Sequence, residues 1–180
     1  MLKPLEVLFE RYEAQRKQML QMAAEWNDPQ RSYQPRKEAW SLLEELHHLT
    51  LTDQEVVRLA ASPEMVTQQA LEFKKRSHGV PFFVVMLILR CDIRVPVPTE
   101  RVMPKPGQPL STLTLQWEQA REQLRRLLET ITPENSHLPF AVHPVCGAFT
   151  PEQVLKFLLE HGHYHERHMH RLRLASGFPG

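Results

Sequence analysis

Two stretches of this chain repeat the same apolar spacing, and that repeat constrains the fold more than any other feature. Leu113, Trp117, Ala120, Leu124, Leu127 and Ile131 are separated by 4, 3, 4, 3 and 4 residues. Val154, Leu158, His161, His165, His168 and Leu172 follow the same series. Steps of three and four return to one face of an α-helix, whereas a half-buried strand needs steps of two. Leu5, Leu8, Tyr12, Met19, Met22 and Trp26 fall near heptad spacing and predict another amphipathic helix over roughly 4–26. Stripes of this kind are stable only when buried against one another, so an all-α fold is expected.

Local signals divide the rest. Asn27-Asp28-Pro29 ends the first helix, and a second is expected from Gln34-Pro35 to at least Leu49, since proline suits the first helical position. Thr52-Asp53-Gln54-Glu55 reads as a capping box with Leu51 and Val56 at staple positions, so this helix either continues or restarts at Thr52. Ser62-Pro63-Glu64 opens a short helix that His78-Gly79 closes. The apolar run 82–89 is a buried segment whose period does not separate strand from helix. Residues 95–109 hold five prolines and read as a long extended connection that crosses the bundle. Ser111 then caps the third long helix, which Pro133 follows. Residues 134–149 read as a loop, and Thr150-Pro151-Glu152-Gln153 starts the last helix. The expected architecture is a four-helix bundle in one domain, 1–180, with a long proline-rich crossover between the second and third main helices. The tail from about 175 is expected to be irregular or disordered.

The 180 residues suffice for one core without disulfides. Lys plus Arg number 22 against 21 Asp plus Glu, a formal charge of +1, which gives no electrostatic support for nucleic-acid binding. Arg121, Arg125 and Arg126 read as a solvated helix face. Cys91 and Cys146 form neither a disulfide framework nor a CxxC pair; Cys91 reads as core and Cys146 as a small buried cysteine. The opening MLKPLEVLFERYEAQ is charged and amphipathic, unlike a signal peptide, and the longest apolar run is too short to span a bilayer. A cytoplasmic location is expected, with no membrane partner.

Histidine is the anomaly: ten are present, five of them between His161 and His170. His161, His165 and His168 share a stripe with Val154, Leu158 and Leu172. Imidazoles one turn apart point the same way and can reach one ion, and zinc-type metals accept such nitrogens at roughly 2.0–2.1 Å. The plain alternative is a solvated, His-rich helix end. Against it, burying three polar rings without partners costs about 1–3 kcal/mol each, and one metal satisfies them together. His163 and His170 lie off the stripe and read as surface residues. A third protein ligand has three candidates: His47, His48 and His143. Helical phase leaves His47 and His48 open, because Trp40 and Leu43 share a side with one, Glu44 and Leu51 with the other.

Two segments carry a family resemblance. Trp40-Ser41-Leu42-Leu43-Glu44-Glu45-Leu46-His47-His48-Leu49 resembles the W-S-x-x-E/Q-x-x-x-H-L pattern of the DinB/YfiT-like family of bacterial metal-binding four-helix bundles. His143-Pro144-Val145-Cys146-Gly147-Ala148-Phe149-Thr150, followed by His161-x-x-x-His165, is similar to that family's H-P-x-x-G-x-x-T lead-in and H-x-x-x-H pair. The proline-rich stretch and Trp117 with Arg121 agree in order, and the likeness covers roughly 35–172. The resemblance implies His48, His161 and His165 as ligands of one divalent transition metal, zinc or nickel first and iron next. His168 stands where many relatives carry Gln, so it either supports a ligand from behind or approaches as a fourth imidazole. His143 is expected to cap the nearby helix and pack, and Glu44 to orient His48 or relay a proton, unless it is an exposed helix carboxylate.

Some relatives are thiol-dependent S-transferases and others have been viewed as hydrolases. The resemblance therefore implies a metal-dependent enzyme of the thiol S-transferase type, acting through metal-bound water or thiolate on a small-molecule substrate such as a low-molecular-weight thiol. The alternatives are a metal-dependent hydrolase and a non-catalytic metal-binding or stress-response protein. Pairing into a homodimer is also implied by the likeness.

Overall fold

The computed structural model describes residues 1–76 and 79–180. Its helices are α1 (Lys3–Glu25), α2 (Asp28–Ser32), α3 (Leu42–Ala60), α4 (Pro63–Arg76), α5 (Phe82–Arg90), α6 (Leu110–Glu129) and α7 (Pro151–Leu174). Strands β1 (Ala141–His143) and β2 (Gly147–Phe149) form one antiparallel hairpin, with Ala141 opposite Phe149 and His143 opposite Gly147. The chain is an all-α bundle: α1 packs on α6 and α7, and α3 packs on the same two, closing a ring of four long helices. α4, α5 and a proline-rich strap containing a one-turn 3-10 helix (Glu100–Val102) make the crossover from α3 to α6.

Side-chain caps decide where several helices begin. Thr150 Oγ1 accepts the Gln153 N–H at 3.3 Å while Gln153 Oε1 accepts the Thr150 N–H at 2.9 Å, so α7 starts where its sequence signal lies. A second reciprocal pair, Ser41 with Glu44, opens α3 at Leu42 rather than at Gln34-Pro35. Residues 33–41 are therefore irregular and Trp40 lies outside the helix. Asn27 likewise caps the short α2 instead of only ending α1. No restart occurs at Thr52, whose hydroxyl donates back to the His48 carbonyl at 2.9 Å within an unbroken α3. α6 begins one residue before Ser111, with Pro109 at the cap position and no side-chain cap.

One open reading is decided and two further expectations are corrected. The apolar run 82–89 is helical, burying Val85, Met86 and Leu89 and turning Phe83 and Leu87 outward. Residues 134–149 are not loop throughout, because the hairpin occupies part of them; its turn needs Gly147 at φ +82°. Cys91 is exposed at the end of α5 rather than core. α4 ends at Arg76, and His78, half of its expected stop signal, lies outside the described residues. Beyond α7 the tail is irregular and folds back, Phe178 meeting Trp26 and Tyr33 edge-on. Among the described residues no helix is long and apolar enough to cross a membrane.

The core is two apolar clusters with a polar layer between them. One gathers Leu5, Phe9, Val57, Leu128, Val154 and Leu158; the other gathers Met19, Ala23, Leu42, Leu46, Leu113 and Met169. On α1, α6 and α7 buried polar residues fall between the two sets, Gln15 and Arg16, Arg121, and His165 respectively; on α3 Asp53 does so, while Glu45 and His48 are interspersed with Leu42, Leu46 and Leu49. Arg121 thus leaves the solvated face expected of it and is 2% exposed. Its guanidinium lies 3.2 Å from the Tyr12 ring centroid and pairs with Asp53 and Glu13. Arg125 and Arg126 do stay on the surface, paired with Glu129 and Glu122.

Candidate metal centre

α3 and α7 bring three imidazoles together. His161 and His165 stand one turn apart on α7, and His48 faces them from α3. His161 Nε2 lies 3.3 Å from His48 Nε2 and 2.9 Å from His165 Nε2. His48 and His165 are buried; His161 keeps some exposure as a residue, although its Nδ1 is fully enclosed and has no partner among the described residues.

Hydrogen bonds on the far side of two rings decide which nitrogen is bare. His48 Nδ1 donates to the Val102 carbonyl at 2.7 Å, and a carbonyl only accepts, so His48 Nε2 presents its lone pair. His165 Nδ1 donates to the Glu45 carboxylate, which leaves His165 Nε2 bare as well. His161 can donate its one ring proton to at most one of these lone pairs. Burial pushes all three rings below the ordinary histidine range, and neighbouring imidazoles push His161 and His165 further, so all are neutral near pH 7. Converging neutral nitrogens lack an electron-pair acceptor. Tetrahedral ligands at about 2.0–2.1 Å from an ion lie about 3.3 Å from one another, close to the two spacings found. The donor set fits a divalent transition metal and could hold one.

The strap chooses between the adjacent histidines of α3. Val102 takes the Nδ1 proton of His48, whereas His47 Nδ1 accepts the Lys105 N–H at 3.0 Å and turns away from the centre. Trp40 packs beside the site, its ring 4.9 Å from that of His48. An open, largely apolar cavity of about 1420 Å³ adjoins the three rings, walled by Val85, Leu89, Pro98, Met103, Val142 and Phe149.

The remaining expected residues fall elsewhere. His168 is not one of the three converging rings: its Nδ1 lies 3.5 Å from Glu45 and its Nε2 3.3 Å from Asp92. Glu44 neither orients His48 nor faces the centre, being held by the Ser41 N–H at 2.9 Å and by Gln34 Nε2 at 2.6 Å. His143 caps the hairpin turn rather than the helix, its Nδ1 accepting the Val145 and Cys146 N–H groups, both at 3.2 Å, and its ring packs as expected, stacked on Phe149 and edge-on to Phe157 of α7. Burial lowers it to about 4 and pushes the Cys146 thiol up to about 11. Sequence reasoning missed Glu45 and Asp92. The signal for Glu45 was present: a carboxylate three residues before His48, on the face of Leu42, Leu46 and Leu49.

The sequence profile of the DinB superfamily matches residues 11–169. The chain belongs to the DinB superfamily. Comparison with curated proteins and with solved structures gives no match. The DinB match spans α3 and α7 entirely up to Met169, so every nitrogen of the histidine centre falls within it.

Proposed function

We propose that this chain is a metal-dependent enzyme of the thiol S-transferase type, holding one zinc or nickel ion through His48, His161 and His165. What supports the reading is the convergence of three neutral Nε2 atoms on the wall of a wide apolar cavity. Three imidazoles leave a position for an exogenous group, the arrangement of catalytic rather than closed structural sites. When bound, a divalent ion there lowers the pKa of a thiol or water and supplies a nucleophile near neutral pH. The chain's own residues hold and orient: the strap fixes His48, Glu45 fixes His165, and the cavity walls exclude water around a small, partly apolar substrate. A cytoplasmic location, the absence of nucleic-acid partners and a homodimer complete the reading.

The test is metal analysis of purified protein, followed by a screen of low-molecular-weight thiols with electrophilic acceptors, metal-loaded against chelated. One equivalent of metal and metal-dependent thiol consumption are expected. His48→Ala, His161→Ala and His165→Ala should each lose metal while keeping helical content. Metal-dependent hydrolysis without thiol turnover would move the reading to a hydrolase. Stoichiometric metal with no turnover would leave a binding protein. A protein that takes up neither zinc nor nickel sinks the metal reading itself.

A further inference from the structure

Behind His165 lies a chain of side chains that the three-histidine reading does not use. Glu45 is 4% exposed, sits on α3, and accepts from His165 Nδ1. Its other oxygen, Oε1, lies 3.5 Å from His168 Nδ1. His168 Nε2 lies 3.3 Å from Asp92 Oδ1, and Asp92 is paired with Arg171. Asp92 follows α5 in the left-handed region at φ +59°, a conformation a non-glycine residue adopts at a cost. α3, α7 and the end of α5 therefore meet through Glu45, His168 and Asp92.

A carboxylate buried in the core is expensive unless its oxygens are engaged. Here both oxygens face histidines, and one of those rings belongs to the converging set. Without an acceptor at Nδ1, the buried His165 ring has no reason to keep its proton there. The other tautomer places the proton on Nε2, the atom that faces His161, and a protonated Nε2 cannot donate a lone pair. We propose that Glu45 is a positioning residue of the histidine centre: it locks His165 with Nδ1 protonated and Nε2 bare, and His168, lying between Glu45 and Asp92, flanks its other oxygen. The affinity half of this proposal rests on the metal reading above, whereas the tautomer half stands without metal.

Two measurements separate the halves. Long-range 15N–1H correlation on metal-free protein reports the His165 tautomer, and chelator competition with Co(II) and Zn(II) reports affinity, with the Co(II) visible spectrum reporting ligand geometry. Wild type should show His165 protonated at Nδ1. Glu45→Leu should shift it toward Nε2–H, lose about 10–100-fold in affinity and alter the Co(II) spectrum. Glu45→Gln keeps an acceptor oxygen and should retain the Nδ1–H tautomer with a smaller loss, which decides the matter if the leucine variant does not fold. His168→Ala should lower affinity by less than Glu45→Leu. The proposal is overturned if Glu45→Leu keeps both tautomer and affinity, or if wild type carries His165 protonated at Nε2. It is also overturned if wild type binds a second equivalent that the Glu45 variants lose, since Glu45, His165 and His168 would then be ligands of their own ion. Wild-type protein that binds no metal yet shows the Nδ1–H tautomer refutes the function and leaves the positioning role of Glu45 standing.

Discussion

Asp53→Ala removes an acceptor that joins three of the four long helices. Asp53 is fully buried on α3, and its oxygens accept from the Tyr12 hydroxyl on α1, from Trp117 Nε1 at 2.7 Å on α6, and from Arg121 Nε on α6. Truncation leaves the Tyr12 O–H and the Trp117 N–H without partners, each worth about 1–3 kcal/mol when stranded. It also breaks a buried ion pair, for which losses of about 3–5 kcal/mol are typical. These terms overlap. Glu13 still accepts from Arg121 Nη1 at 3.0 Å, so the guanidinium is not abandoned. Alanine recovers roughly 0.5 kcal/mol of helix propensity. The net loss is about 3–4 kcal/mol, a fall in Tm of about 10 °C for a chain of this length. Urea and thermal melts of the metal-free protein measure it. Asp53→Leu combined with Arg121→Met should recover only the ion-pair part of the loss, because an apolar pair replaces the buried ionic one while the Tyr12 O–H and the Trp117 N–H stay without their acceptor. A loss under about 1 kcal/mol for Asp53→Ala, or no coupling between the two positions, would refute the reasoning.

Two further outcomes follow from the structure. A Cβ on Gly162 would lie 2.2 Å from Gln15 Oε1 and 2.8 Å from its Cδ. Gln15 is buried on α1 and bonded to His163 Nδ1 at 2.7 Å, so the clash outweighs the roughly 1 kcal/mol that alanine gains in a helix. Gly162→Ala should therefore lower Tm, and adding Gln15→Ala should restore it; a Gly162→Ala protein more stable than wild type contradicts the close approach. The second outcome is a pH dependence. His48, His143, His161 and His165 all have folded-state pKa values below the ordinary 6.5, so protons favour the unfolded chain. Their contribution is complete above 6.5 and is lost as pH falls toward the folded values. His143, at about 4, accounts for on the order of 3 kcal/mol of this. Urea midpoints of metal-free protein should fall between about pH 7 and about pH 5, and bound metal should be released over the same interval. A flat profile refutes the burial assigned to these rings.

What the amino-acid sequence determined by itself is what acts over a few residues. Apolar steps of three and four set α6 and α7, reciprocal caps set the start of α7, and the spacing of His161 and His165 put two ligands on one stripe. The same short range explains the misplaced start of α3, where proline at position 35 competed with the stronger Ser41-Glu44 cap. Phase alone could not choose His48 over His47, since the choice depends on which ring meets the strap at Val102 and which at Lys105, 54 and 58 positions away. The bearing of Glu45 on His165 spans 120 positions, and the junction of Asp53 with Arg121 spans 68. Only the packed bundle decides such pairs. A side chain's periodicity states which face it occupies, while its protonated nitrogen, its partner and its solvation are fixed by whatever the opposite helix places against that face.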